Sequence, residues 1–317
     1  MAARRKSPMR GWILRAIGSA VLLGLLFWWL PLGDVVAGFK RVPIGLFLGV
    51  WILFVAGHAL AAGKWWALLG RSLAYSGALK AHVAGLAANL CLPGAAGGDV
   101  VRAGAAQLAI RDGAKVISGS VSDRLIDMLA LAILAGAGAM GLATDGEWAF
   151  LALQVLVLMV AALGVALWGM PRLVPLIWNK VPSLPARGLA LKTADAFAEL
   201  ARAPALLIAT LIVSTGIQAL FVALAMMLGE AVGVDMPPAA WFFAWPLAKL
   251  LAVLPISLNG LGLREATLAG LMVPLGAVGA DVVAAGLVWQ AVLFLTGALG
   301  AFVLAASGFR LRQATEM

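Results

Sequence analysis

The sequence predicts an all-helical protein that crosses a membrane several times, and three observations lead to this fold class. Of the 317 residues, 63% are apolar and only 12% are charged, whereas soluble globular domains carry roughly 25% charged residues. The apolar residues form runs of about 20, the length that a helix needs to span a bilayer. The Lys and Arg residues lie mostly between those runs. This pattern argues against a soluble enzyme, a disordered chain or a nucleic-acid-binding protein.

Six apolar runs are predicted to be transmembrane helices. They cover residues 14–32, 44–63, 124–143, 147–170, 205–229 and 284–306. Two shorter apolar stretches, 82–92 and 240–256, each end in a proline and a glycine-rich tip, and another short apolar run follows. Because proline and glycine end or bend a helix, we predict two broken or re-entrant helical hairpins there. All elements belong to one integral membrane domain, in which residues 144–205 form a connecting span and a cytoplasmic linker.

The charges predict the orientation of the chain. The N-terminal segment and the loops on its side hold most of the Lys and Arg residues, with Lys64 placed in one of these loops. The loops on the other side carry acidic residues, although Lys249 and Arg264 also fall there. By the positive-inside rule, both termini are cytoplasmic.

A shift of 162 residues reveals an internal repeat. It places Pro93 on Pro255 and Arg102 on Arg264, and it superimposes residues 44–143 on 206–305. One extra span separates the two units, so the second unit is inverted relative to the first. Inverted-topology repeats are typical of transporters that bind their substrate between two halves. A duplication with a purely structural role is the alternative.

The first hairpin tip is predicted to bind an anion. Gly97 and Gly98 leave backbone N–H groups uncovered, Asp99 is a good helix N-cap, and Arg102 follows in the first helical turn. A helix N-terminus beside an arginine favours anions, and a lipid phosphate is the anion expected at this depth.

The second tip repeats these features. Gly260 allows the turn, Ser257 or Asn259 caps the helix, and Arg264 and Glu265 occupy its first turn. Charges at membrane depth are costly and usually face a wet cavity or a partner. The alternative to lipid binding is therefore structural, with pairs such as Asp99 and Arg264 that lock the two tips together.

A third polar cluster lies at the start of the predicted span 124–143. Arg124 and Asp127 are its candidate gating or charge-pairing residues, and Asp127 has Arg102 or Arg124 as its expected partner. In the preceding span, His58 is a proton relay or, more simply, a core histidine. His82 is expected at the interface. No metal-ligand spacing, nucleotide motif or nucleophile-and-base set is present, so we expect no metal, no cofactor and no enzymatic activity.

Three motifs resemble those of a known family. They are PGAAGGDVVR, SDRLIDMLAL and LPISLNGLGLRE. These motifs are similar to the flippase-like membrane domain of lysylphosphatidylglycerol synthases, and the resemblance covers roughly residues 44–306. It implies an inner-membrane protein that moves or presents a lipid, with the tip residues and Arg124 and Asp127 matching the family motifs. Asp123 departs from the expected glutamate but keeps its charge. We expect a stand-alone member, without lysyl transfer.

The sequence therefore predicts a flippase-like transporter for a phosphate-bearing lipid, either an anionic phospholipid or a polyprenyl-phosphate-linked one. Its partners are membrane lipids and, from the resemblance, a glycosyltransferase or lipid-modifying enzyme; nucleic acid is not expected. Two alternatives remain. The chain is either an accessory membrane subunit that moves nothing, or a carrier of a small water-soluble anion.

Overall fold

The computed structural model describes residues 37–38, 40–91, 96–142, 147–181, 184–253 and 260–306. All regular secondary structure in these residues is helical, which confirms the predicted fold class. The predicted span 14–32 and the tip residues Pro93, Pro255, Ser257 and Asn259 lie outside the described residues.

Four helices are described between residues 44 and 140 of the first half. They are α1 (Ile44–Leu68), α2 (Tyr75–Cys91), α3 (Ala96–Ile110) and α4 (Gly113–Met140). Helix α4 begins eleven residues before the predicted span 124–143, because the side chain of Asp112 caps it by accepting the Lys115 N–H at 3.2 Å. The polar cluster around Arg124 therefore lies about three turns inside α4, rather than at its start.

The middle of the chain forms one long helix and one short helix. Helix α5 (Glu147–Gly164) continues through a π-helical turn, Val165–Gly169, into α6 (Met170–Lys180), and α7 (Arg187–Ala201) follows. Neither Pro171 nor Pro175 ends this helix. Pro171 follows directly after the π-helical turn, and Pro175 is accommodated inside α6.

Four further helices are described in the second half. It contains α8 (Pro204–Val232), α9 (Pro238–Ala252), α10 (Leu263–Met272) and α11 (Gly279–Ala306), with a short 3₁₀ turn after α10. Helix α8 ends at Gly233, whose φ of 119° is a left-handed conformation that suits glycine. Helices α2 and α3 pack against each other around the first tip, and α9 and α10 pack against each other around the second.

Four helices in the described residues are long and apolar enough to cross a membrane. They are Ile44–Leu68, Trp148–Lys180, Pro204–Val232 and Gly279–Ala306, and they coincide with four of the six predicted spans. Helix α4 is long enough, but Asp123, Arg124 and Asp127 interrupt its apolar sequence. The chain is thus a multi-pass membrane protein. Large apolar side chains such as Ile212 and Phe302 are exposed on its outer surface, where lipid would cover them.

The core lies where the two halves meet. The first hairpin packs against α11 through α2, and the second hairpin packs against α4 through α9, while α1 packs against α8. Trp241, Phe243 and Trp245 of α9 are buried in this interface. Gly138 of α4 lets the backbone of α9 approach so closely that a Cβ there would collide with Phe243. Each hairpin is therefore held by the last helix of the other half.

Candidate functional site

A polar cavity lies between the two halves of the molecule, and we call it the central cavity. Its volume is about 220 Å³, well above the roughly 10–15 Å³ that one water molecule requires. Helices α1, α2, α3, α4, α8, α9, α10 and α11 all contribute to its lining, so both hairpins reach it. Most of the chain's intramembrane charges gather around this one space, as expected for charges that are costly in lipid.

The first charge cluster surrounds one part of the central cavity. It consists of Lys64, Asp99, Arg102, Asp123, Arg124 and Asp127, which come from α1, α3 and α4. Three cations and three carboxylates balance each other within it. The cluster is therefore neutral as a whole, although its members come from distant parts of the sequence.

Asp99 and Arg102 of the first tip both pair with α4. Asp99 accepts hydrogen bonds from Nε and Nη2 of Arg124, in a bidentate arrangement that fixes both side chains. Arg102 Nη2 lies 3.0 Å from Asp123 Oδ2 and 3.5 Å from Asp99 Oδ1. The Arg102 guanidinium also stacks over the Trp65 ring at 4.5 Å. Asp99 therefore pairs with Arg124 and Arg102, and the alternative pair with Arg264 does not form.

Lys64 is buried inside α1 and completes this cluster. Its Nζ lies 3.0 Å from Asp123 Oδ1 and also contacts Asp127 Oδ1. Ser214 Oγ of α8 donates a second hydrogen bond to Asp127. The expectation that Lys64 lies in a loop is wrong, because these contacts and its 5% exposure place it in the protein interior. The partner of Asp127 is thus Lys64, and not Arg102 or Arg124.

Two histidines extend the cluster towards α1 and α2. His82 Nδ1 lies 3.4 Å from Arg102 Nη1, and His82 Nε2 lies 3.1 Å from His58 Nδ1. Since a guanidinium only donates hydrogen bonds, His82 accepts at Nδ1 and carries its proton on Nε2. His58 then accepts at Nδ1, so both imidazoles are neutral in this arrangement. His82 is buried, which contradicts its expected place at the interface.

The second charge pair, Arg264 and Glu265, lies at the start of α10. Arg264 Nη2 donates to Glu265 Oε1 at 2.5 Å, to the Gly286 carbonyl at 3.0 Å and to Gln290 Oε1 at 3.1 Å. The other carboxylate oxygen of Glu265 accepts the Gly262 N–H at 2.7 Å and so caps the helix. Glu265 is fully buried, and only Arg264 of the pair lines the central cavity.

Lys249 of α9 is the remaining charge on the cavity lining. Its Nζ donates to Gln218 Oε1 at 2.7 Å and lies 5.1 Å from the centre of the Phe221 ring. No carboxylate in the described part of the chain lies within ion-pair distance of Lys249.

The glycines predicted at the tips have different positions. Gly98 lines the central cavity, but its N–H donates to Asn89 Oδ1 at 2.9 Å, and its missing side chain allows α2 and α3 to touch. Gly97 is half-buried in α3, outside the cavity lining. Gly260 has a φ of 79° and packs against Ala252, also outside the lining. The other two candidates, Ser257 and Asn259, lie outside the described residues.

Sequence reasoning missed Lys64 as a member of the first charge cluster, and His82 and Lys249 as cavity residues. Lys64 and His82 lie at the ends of apolar runs, where a polar side chain is normally explained by the membrane surface. A usable signal was present for Lys64, because α1 remains apolar and helical for four more residues after it. Lys249 carries the same kind of signal, because it lies inside the apolar stretch 240–256.

The central cavity combines charged and apolar groups that can bind an amphiphilic ligand. It offers fixed cations, fixed carboxylates and two neutral imidazoles, beside apolar side chains such as Phe54 and Leu131. Within the described ranges, no group of three His, Cys, Asp or Glu side chains has the geometry of a metal site. Counting Lys64 and Glu265 with the charges that line the cavity, five cations face four carboxylates, so the site carries a net charge of +1.

Comparison with protein families matches residues 12–300 to the family described as the lysylphosphatidylglycerol synthase TM region. The match covers the three motifs and every helix around the central cavity. A search among curated proteins found no match.

Proposed function

The chain belongs to the family of lysylphosphatidylglycerol synthase TM regions, and we propose that it binds a phosphate-bearing lipid in the central cavity. The protein then moves or presents this lipid across the inner membrane. The head group of an anionic phospholipid or of a polyprenyl-phosphate-linked lipid would enter the cavity, while its tails stay in the bilayer. The protein uses no bond-making step of its own in this proposal.

The observation that carries the proposal is the net positive charge of a cavity shared by both halves. An anionic head group gains electrostatic energy there, because the surrounding protein has a lower dielectric constant than water. Phe221 and Leu293 lie beside the charges on the same lining. This mixture suits an amphiphile, whose charged and apolar parts must be accommodated within a few ångströms of each other.

An inverted-topology repeat supports transport through this cavity. Adding 162 to the bounds of α2 gives 237–253, and α9 occupies 238–252. Adding 162 to the bounds of α1 gives 206–230, and α8 occupies 204–232. The reciprocal packing of each hairpin on the last helix of the other half is what a two-fold relation between inverted units would produce.

The topology that accompanies the proposal has six crossings, two hairpins and cytoplasmic termini. Helix α4 would cross despite its charges, because Asp123 and Asp127 face partners instead of lipid. Single cysteines at Lys80 and Glu230, in a chain with Cys91 replaced by serine, test this topology. The proposal expects labelling of Lys80→Cys from the cytoplasmic side and of Glu230→Cys from the opposite side, and labelling of both from one side contradicts it.

The test of function is lipid movement in reconstituted vesicles. Vesicles carry a trace of fluorescent phosphatidylglycerol in both leaflets, and a membrane-impermeant quencher reports how much reaches the outer leaflet. We expect wild-type protein to make almost all of the probe accessible, whereas protein-free vesicles expose about half. Asp281→Asn, which alters a surface ion pair with Arg41, is the matched control and should behave like the wild type.

The same vesicles separate the alternatives. Uptake of labelled phosphate without lipid movement would favour the small-anion carrier. Absence of both activities, with the protein correctly inserted, would leave the accessory-subunit interpretation, and a partner enzyme would then be sought by co-purification. Equal movement of a zwitterionic and an anionic probe would contradict the role of the positive cavity.

A further inference from the structure

We propose that Lys249 is the residue that binds the ligand's oxyanion in the central cavity, either the phosphate of a membrane lipid or free inorganic phosphate. In this proposal, Arg102 and Arg264 hold the cavity lining in place through their own ion pairs, and Lys249 makes the main contact with the ligand. This inference rests on the proposed function and names the group that recognises the substrate.

The first argument compares Lys64, which is buried, with Lys249, which is half-buried on the cavity lining. Lys64 contacts two carboxylates, Asp123 and Asp127, so its charge is balanced within the protein. Among the residues that the structure describes, Lys249 contacts the neutral oxygen of Gln218 and the face of the Phe221 ring, and no carboxylate lies within ion-pair distance of it. An ammonium group removed from water without an anionic partner is costly, so an anion that enters the cavity gains most at Lys249.

The second argument is that both arginines already form ion pairs with carboxylates of the protein. Arg102 is held by Asp123 at 3.0 Å, and Arg264 by Glu265 at 2.5 Å with two further acceptors. An incoming phosphate would have to compete with these buried ion pairs. To bind a phosphate, Lys249 gives up one hydrogen bond to the neutral amide oxygen of Gln218. The new hydrogen bond would join two charged groups, and such charge-assisted hydrogen bonds are roughly twice as strong as those between neutral groups.

The third argument comes from hydrogen-bond donors that lack acceptors. Arg102 Nε and Arg264 Nε are both buried and have no hydrogen-bond acceptor in the part of the chain that the structure describes. The two arginines line the central cavity together with Lys249, one from each hairpin and each about 95% buried. Donors in excess around a cavity favour an occupant rich in acceptors, and a phosphate group has that chemistry.

The experiment is ligand-dependent stabilisation of the purified protein in a neutral detergent. Thermal unfolding is followed by tryptophan fluorescence while phosphatidylglycerol, phosphatidylcholine or inorganic phosphate is titrated. A ligand that binds only the folded state raises the unfolding midpoint in a saturable way. The variants are Lys249→Met, which removes the charge, and Lys249→Arg, which keeps it. Lys192→Met is the matched control, because Lys192 is exposed on α7.

We expect phosphatidylglycerol to stabilise the wild type, Lys249→Arg and Lys192→Met at similar concentrations. Lys249→Met should require at least about tenfold more, the loss expected for one charge-assisted hydrogen bond. Without any ligand, Lys249→Met should unfold at a higher temperature than the wild type, because a half-buried charge without a carboxylate partner is gone. A lysine with only a structural role would give the opposite change.

The outcomes distinguish this inference from the proposed function. If Lys249→Met responds to phosphatidylglycerol like the wild type, the role of Lys249 is refuted and the lipid proposal stands. If inorganic phosphate alone protects the wild type, and does so through Lys249, the anion site is supported and a lipid source is refuted. If neither phosphatidylglycerol nor phosphate stabilises the wild type, both proposals fail.

Discussion

The first charge cluster and the second charge pair both reach the central cavity but are built differently. In the first, Asp99 contacts two arginines, and Asp123 contacts both Arg102 and Lys64. In the second, Arg264 has one carboxylate, and that carboxylate is its neighbour in the sequence. A network with shared partners can exchange contacts when one member moves, whereas a single pair cannot. The first cluster is therefore suited to rearrange during the transport that we propose, and the second pair to remain fixed.

Among the substitutions that test this comparison, Glu265→Gln is expected to lower the unfolding free energy most. The substitution leaves Arg264 buried without a carboxylate, while the glutamine can still accept the Gly262 N–H. Removing one partner of a buried ion pair costs about 3–5 kcal/mol of unfolding free energy. Unfolding in mixed micelles with increasing denaturing detergent measures the change.

The control for Glu265→Gln is Asp281→Asn, whose partner Arg41 is 53% exposed at the side chain. Exposed ion pairs contribute about 0–1 kcal/mol, so this variant should unfold close to the wild type. A Glu265→Gln protein as stable as this control would show that the second pair is not the fixed element.

A smaller loss is expected for Asp123→Asn in the first cluster. Lys64 keeps Asp127, and Arg102 keeps Asp99 at 3.5 Å. Because both cations retain a carboxylate, we expect a loss of about 1–3 kcal/mol, the range for one hydrogen bond to a charged group.

The double variant Asp123→Asn, Asp127→Asn tests the shared partners directly. Lys64 then has no carboxylate in the cluster, so the combined loss should exceed the sum of the two single losses. Simple additivity would mean that the contacts around Lys64 are independent, and the comparison between a network and a single pair would no longer hold.

The smallest loss of stability is expected for Arg124→Gln. Its side chain is 43% exposed towards the cavity, and Asp99 keeps Arg102 as a partner. We expect a change below about 1 kcal/mol in the unfolding free energy. Lipid movement in vesicles should still slow, because Asp99 loses the bidentate contact that joins the first hairpin to α4. If Arg124→Gln moves lipid in vesicles as fast as the wild type, Arg124 has no role in gating.

Some of the candidate site follows from short-range sequence signals. The tip residues Asp99, Arg102 and Arg264 were found because proline, glycine and a charge stand close together in the sequence, and all three line the central cavity. Their partners were predicted less well. Arg264 and Glu265 pair as neighbours in the sequence. For Asp99 the sequence suggests Arg264 as a partner, whereas the structure shows a contact with Arg124, 25 residues away.

The sequence by itself determined the helical membrane fold, the place of four spans and the charges at the two hairpins, because apolar length and helix-breaking residues act locally. The tertiary structure alone decided that Lys64 and His82 are buried and that Asp127 pairs with Lys64. It also decided that Lys249 faces the cavity with no carboxylate of the described residues as its partner. These outcomes depend on which helices pack together. A charge near the end of an apolar run is equally compatible with the membrane surface and with the protein interior, until the neighbouring helix supplies its partner.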